Sequence, residues 1–117
     1  IKAGSPDLHR QLTGLDSQLI LKGLRRLNEA KAAIRLRYVL IPGITNTDNE
    51  LNKLASLITE LEHPVTLELL RYHAMGASKW AKLGLAYPLK DVPEATKEEL
   101  QQARDALRDL GVKSFFP

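Results

Sequence analysis

The stretch Ala33-Ile34-Arg35-Leu36-Arg37-Tyr38-Val39-Leu40-Ile41-Pro42-Gly43 decides how this chain is read. Residues 33–41 are rich in β-branched, aliphatic and aromatic types, which suit a pleated, half-buried strand. Alternation sets Ile34, Leu36, Tyr38 and Leu40 on one face and Arg35, Arg37, Val39 and Ile41 on the other. The first face is wholly apolar or aromatic, whereas the second carries two guanidinium groups before it turns apolar. Pro42-Gly43 closes the strand, because proline cannot donate to a ladder and glycine permits the turn.

Downstream of it, Leu51, Leu54, Ile58 and Leu61 recur at helical spacing and predict a helix over about 47–61. Pro64 ends that helix, and residues 65–70 read as a second strand. Strand starts about 31 residues apart with a helix between them describe a βαβ crossover and hence a parallel pair. Upstream, Ser5-Pro6 places a capping hydroxyl before a proline whose missing N–H costs nothing at the first helical position. A short helix to about Gln11 follows, ending near Gly14. Asp16 is the expected cap of a longer helix to about Ala30, with Ile20, Leu24 and Leu27 on its buried side. After Arg71-Tyr72-His73 an irregular stretch runs to Pro93. Thr96 with Glu99 forms a capping box ahead of the stripe Leu100, Ala103, Leu107 and Leu110. Gly111 stands just past the helix end, and residues 112–116 read as a last strand. The expected class is therefore α/β, with parallel strands and crossover helices in a single domain over 1–117. Three or four strands are too few to close a barrel and leave unpaired edges.

Composition narrows the function classes. The 117 residues, 44% apolar and 26% charged, match an ordinary globular domain that buries roughly two-thirds of its unfolded surface. No apolar run approaches the roughly 20 residues of a membrane span, and no basic–apolar–small signal segment opens the chain. The absence of cysteine rules out disulfides, thiolate metal sites and thiol nucleophiles within these residues, and a cytoplasmic location is expected. Net charge is +3, from 17 basic and 14 acidic residues. Lys22, Arg25 and Arg26, and Lys31, Arg35 and Arg37, fall on different faces without interleaved aromatics, so nucleic-acid binding is not expected. The opening Ile1-Lys2, apolar and two positions before a turn, reads as part of a strand.

In parallel α/β architectures ligands gather at the C-terminal ends of strands. Lys2, Arg37, Glu68 and His73 fall at such ends. They suggest an anion or zwitterion site in which cations hold a carboxylate and His73 offers a hydrogen bond. The competing reading makes Arg37 a paired interior arginine and His73 a satisfied loop histidine. His9 and His63 read as packing and turn residues; Ser5, Thr13, Thr45 and Thr47 read as caps and turn formers. Asp48 and Glu50 read as a solvated helix start. Trp80 and Tyr87 are either binding aromatics or packing over the long loop. There is no histidine pair at metal spacing, no glycine-rich phosphate loop and no serine elbow.

Three blocks in order carry a family resemblance. They are Ile1-Lys2 with Pro6-Asp7-Leu8-His9 and Leu12-Thr13-Gly14, then Ile34 to Gly43, then Glu68-Leu69-Leu70-Arg71-Tyr72-His73-Ala74-Met75-Gly76 with Lys79-Trp80. Together they resemble the C-terminal half of the pyruvate formate-lyase activating enzymes, glycyl-radical-enzyme activators of the radical S-adenosylmethionine superfamily. The resemblance implies the later strands of a partial (β/α)6 TIM-like barrel. It also implies that Lys2, Arg37, Val39 and His73 contact S-adenosylmethionine, with Lys2 and Arg37 facing its methionyl end. In the family a 4Fe-4S cluster cleaves that cofactor reductively, and the resulting 5′-deoxyadenosyl radical takes hydrogen from a backbone glycine of a partner such as pyruvate formate-lyase. This sequence departs from the pattern in three ways. The three-cysteine cluster motif is absent, the acidic residue expected just before Ile1 is missing, and Arg71 stands where proline is usual. Alone, these residues are therefore expected to be inactive. They are also expected to self-associate through strand edges and through Val39 and Ile41 on the barrel's interior face. A non-catalytic half-barrel interaction or scaffold domain is the alternative. A phosphate-binding half barrel is disfavoured because no glycine-rich loop meets a helix start.

Overall fold

Helix boundaries follow local capping chemistry closely in the computed structural model, which describes residues 1–73 and 92–116. Helix α1 (Pro6–Thr13) begins where the Ser5 hydroxyl accepts from Leu8 N–H at 3.3 Å, and ends at Gly14, whose φ of 74° is left-handed. It runs somewhat past the expected Gln11. Helix α2 (Gln18–Glu29) starts later than expected. Asp16 still accepts from Gln18 N–H at 2.9 Å, but from one position further out, and Ser17 flanks the helix without a capping bond. Strand β1 (Arg35–Leu40) leads through a turn to α3 (Asp48–Glu60), capped by Thr47. Strand β2 (Thr66–Arg71) precedes the capping box of α4 (Lys97–Asp109), where Thr96 and Glu99 exchange bonds of 3.0 and 3.1 Å.

The two strands pair in parallel, with Leu36 opposite Leu67, Arg37 opposite Glu68, Tyr38 opposite Leu69 and Val39 opposite Leu70. The βαβ crossover is thus present. The predicted last strand reduces to one parallel bridge, Leu67 with Phe115, on the far side of β2. On the outer edge of β1, the Ile1 amine lies 3.5 Å from the Arg37 carbonyl. Among the described residues, then, two full strands replace the expected three or four.

Leu36, Tyr38, Leu40, Leu67 and Leu69 bury their face of the sheet against Leu51, Leu54 and Ile58 of α3 and Ala103 and Leu107 of α4. Leu54, Leu67 and Leu107 are wholly buried. Each such leucine contributes roughly 1.5–3 kcal/mol. Asn28 at the end of α2 acts like a short strand toward the turn before β2, giving its amide to the His63 carbonyl at 2.6 Å and accepting from His63 N–H at 3.2 Å. His9 is buried as a packing residue, with Nδ1 3.2 Å from the Leu15 carbonyl.

Three expectations are corrected. Glu50 is buried, because its carboxylate turns inward to Gly4 and Ser5 rather than to water. Ile20 and Leu27 are 46% and 53% exposed, so of the predicted stripe only Leu24 is covered. The apolar arc of α2 is wider than the surface this chain lays against it. Ile41 is buried in the core rather than open on the sheet's other face, because the chain has already turned after Leu40. It therefore offers no sticky surface for self-association.

Tyr38 locks that turn. Its hydroxyl donates to the Thr45 carbonyl at 3.0 Å, while Thr45 Oγ1 donates to the Val39 carbonyl and accepts from Ile41 N–H, both at 2.7 Å. Burial, reinforced by the Glu50 charge, raises the phenol well above its ordinary value of 10. Above that pH the unfolded chain ionises while the folded one stays protonated. Stability from this group is full below pH 10 and is lost as pH rises beyond it. Tyr38→Phe is expected to cost about 1 kcal/mol at neutral pH and to flatten the alkaline decline. Urea unfolding at neutral pH and near pH 11, about one unit above a free tyrosine, checks this. Parallel losses in both proteins would assign the decline to other groups.

Candidate functional site

The sheet face opposite the helices carries the chemistry. Alternation and register place Arg35, Arg37 and Val39 of β1 beside Thr66, Glu68 and Leu70 of β2 on this face. Arg37 Nε lies 3.1 Å from Glu68 Oε2, and Arg35 Nη1 lies 3.6 Å from the same oxygen. The Glu68 side chain is only 13% exposed, against 65% for Arg37 and 48% for Arg35. Below this cluster, toward the strand starts, the C-terminal segment closes the face. There Arg35 stacks 3.7 Å over the Phe116 ring, and the Thr66 and Ser114 hydroxyls are 3.2 Å apart. Two guanidinium groups against one carboxylate leave an uncompensated positive charge. Pairs this exposed add at most about 1 kcal/mol to folding, so their main consequence is orientation.

The other expected site residues lie nearby in the chain's path but are not joined to this pair. Ile1 and Ala3 line a small cavity of about 50 Å³ with Ile20, Leu21 and Leu57, which leaves the exposed Lys2 between them turned away from it. His73 follows β2 and pairs with Glu94, Nδ1 to Oε2, at 3.6 Å. Among the described residues neither Lys2 nor His73 makes a hydrogen bond or ion pair to Arg37 or Glu68. Val39 is half-buried beside Leu70 at the strand ends. Trp80 and Tyr87, and the Ala74-Met75-Gly76 and Lys79-Trp80 parts of the resemblance, lie outside the described residues.

One supporting residue escaped the sequence reading. Glu50 accepts from Gly4 N–H at 2.7 Å, Ser5 N–H at 2.9 Å and the Ser5 hydroxyl at 2.5 Å, which fixes the segment carrying Lys2. A Cβ on Gly4 would run into the Glu50 backbone carbonyl and come within 3.1 Å of Leu54 N. The signal was available: Glu50, Leu54 and Ile58 form one i, i+4, i+8 row, so the carboxylate belongs to the buried side of α3.

The two guanidinium groups and single carboxylate of this cluster form a cationic patch on the sheet face. These residues do not fit an iron–sulfur cluster, since the chain has no cysteine and no group of three His, Asp or Glu that could hold a metal occurs among the described residues. No helix among these residues is long and apolar enough to cross a membrane.

The chain matches no family model. It is 38% identical over 117 residues to a pyruvate formate-lyase-activating enzyme of Staphylococcus aureus, covering 100% of this chain and 45% of that protein. With the same enzyme of Streptococcus mutans it shares 36% identity over 104 residues, 89% of this chain and 40% of that protein. The chain thus spans less than half the length of the curated relatives it matches. In fold it is similar to a crystallised domain of pyruvate-formate lyase-activating enzyme from Bacteroides vulgatus. The TM-score is 0.74 at 24% identity, over 100% of this chain and 64% of that one. It is also similar to a radical SAM methyltransferase from Sphaerobacter thermophilus, with TM-score 0.69 at 20% identity over 97% and 30% of the two chains. Fold and comparisons together define an α/β domain with parallel strands, of the kind found in those two structures. More particularly, the chain resembles a C-terminal portion of the pyruvate formate-lyase-activating enzymes.

Proposed function

We propose that these residues form the later strands of a partial (β/α)6 barrel in a cytoplasmic radical S-adenosylmethionine enzyme that installs a glycyl radical on a partner such as pyruvate formate-lyase. The observation that carries this reading is identity of 38% to an activating enzyme sustained along all 117 residues. The cationic sheet face, opposite the described helices, agrees with it. On this reading Arg37 and Lys2 hold the methionyl carboxylate, Val39 lines the face beside them, and His73 at the end of β2 helps place the cofactor. When bound, S-adenosylmethionine together with a 4Fe-4S cluster would supply the radical chemistry for taking a hydrogen atom from a backbone glycine. With no cysteine among these 117 residues, the thiolates for such a cluster would have to come from elsewhere.

The test uses the full-length protein with reconstituted cluster, a reductant, S-adenosylmethionine and pyruvate formate-lyase. A glycyl-radical doublet by electron paramagnetic resonance, with 5′-deoxyadenosine released, is expected. The 117 residues expressed alone are expected to take up no cluster absorbance and to release none of that product. Cluster bound by the isolated chain, or no radical from the intact protein, would overturn the proposal. An interaction domain without catalysis is the second reading, favoured by the exposed Leu19 and Leu27 on α2. It predicts partner binding without radical formation in the same assay.

A further inference from the structure

We infer that Glu68 is a positioning residue for this site: it holds Arg37 side-on, so that the rest of the guanidinium is presented to an anionic group of the cofactor. This rests on the function proposed above and goes beyond it, since Glu68 itself touches no ligand in that reading.

Register starts the argument. Arg37 and Glu68 are direct neighbours across the parallel pair, so both side chains leave the sheet on one side without any loop to adjust them. Glu68 engages Nε at 3.1 Å. A guanidinium has five N–H donors in a fixed plane, and a partner on Nε leaves the four on the terminal nitrogens for a second acceptor. Arg37 is 65% exposed and has long-chain rotamer freedom to lose, which makes a fixed orientation before binding worth having.

Glu68 is well suited to impose that orientation because it is itself fixed. Its side chain is 13% exposed, and its Oε2 also lies 3.6 Å from Arg35, whose guanidinium is stacked on Phe116. The chain of contacts therefore runs from the C-terminal ring through Arg35 and Glu68 to Arg37. The carboxylate also separates two like charges that sit two residues apart on one strand face.

The sign of the effect distinguishes this role from plain electrostatics. Glu68 is the negative charge of the cluster, so if it acted only through the field, removing it would tighten binding of a carboxylate. Positioning predicts the opposite. In the full-length protein, Glu68→Ala is expected to weaken S-adenosylmethionine binding about tenfold, the size of a lost hydrogen bond to a charged group. Glu68→Gln, which keeps an acceptor for Nε, is expected to recover much of that loss. In an Arg37→Ala background, Glu68→Ala is expected to add nothing, because the residue it acts through is gone. Equilibrium titration with S-adenosylmethionine on the folded single and double variants reads all of this, and Glu68→Leu, near in volume and without an acceptor, takes the place of Glu68→Ala if that variant unfolds. Unchanged or tighter binding in both Glu68 variants, or an equal loss in the Arg37→Ala background, overturns the inference. Normal binding by Arg37→Ala alone instead sinks the placement of the site on which it rests.

Discussion

Arg37→Ala in the full-length protein is expected to weaken S-adenosylmethionine binding about 30-fold or more, the largest loss of any substitution in these residues. Arg37 projects from the sheet face opposite the described helices, already paired on one side with Glu68, and cofactor binding would bury the remaining donors against a carboxylate. Truncating one partner of a buried, charge-assisted pair costs roughly 2–5 kcal/mol, much of it from leaving the other charge without a partner. Arg35 lies two residues back on the same face, committed to Phe116 and Glu68. Its loss is expected to lower stability more than affinity. His9→Ala is expected to affect packing alone, since its ring is buried against the end of α1. Cofactor titrations of the three folded variants decide the matter. Normal binding by Arg37→Ala together with weak binding by His9→Ala would put the site on the wrong residues.

The largest expected effect on stability belongs to Glu50. Its carboxylate serves Gly4 N–H, Ser5 N–H and the Ser5 hydroxyl in a site where the glutamate is 4% exposed. Glu50→Ala leaves those donors without an acceptor and opens a hole beside Gly4. A loss of about 3 kcal/mol or more is expected, since each buried donor without a partner costs roughly 1–3 kcal/mol. Glu50→Gln retains an acceptor and is expected to lose clearly less. Denaturant midpoints with unchanged slope would measure both. A Glu50→Ala protein within about 0.5 kcal/mol of the parent would mean that the Lys2 segment is held by other contacts.

Helix ends were legible because their chemistry is local. Ser5, Thr47 and the Thr96–Glu99 box each bond a backbone group within three residues, so reading the sequence in order finds them. The same holds for β1 and β2, whose apolar faces alternate and whose helical crossover is long enough for the parallel pairing observed. Where local signals compete, the reading slipped. Asp16 was the expected cap of α2; it does accept from Gln18 N–H, but the helix begins one residue later than that cap implies, after Ser17, which makes no side-chain capping bond. The Ile20–Leu24–Leu27 spacing marks an apolar side of α2 but cannot say how much of it a neighbouring surface will cover.

The sequence by itself determined the α/β class, the caps of three helices and the parallel pair. Those features depend on backbone sterics and on interactions within a turn or two of helix. It did not determine the depth of the charges: Arg37 and Glu68, expected at strand ends, lie third of six residues in β1 and β2. Only the tertiary structure decided that Glu50 reaches back to Gly4 and Ser5, that Glu68 is shared by Arg35 and Arg37, and that Phe116 stacks on Arg35. Each joins groups 31 or more residues apart, and such contacts depend on the register of β1 against β2 and on how α3 seats on the sheet. A strand's alternation specifies which residues share a face; the partner opposite each one is set only when the chain closes.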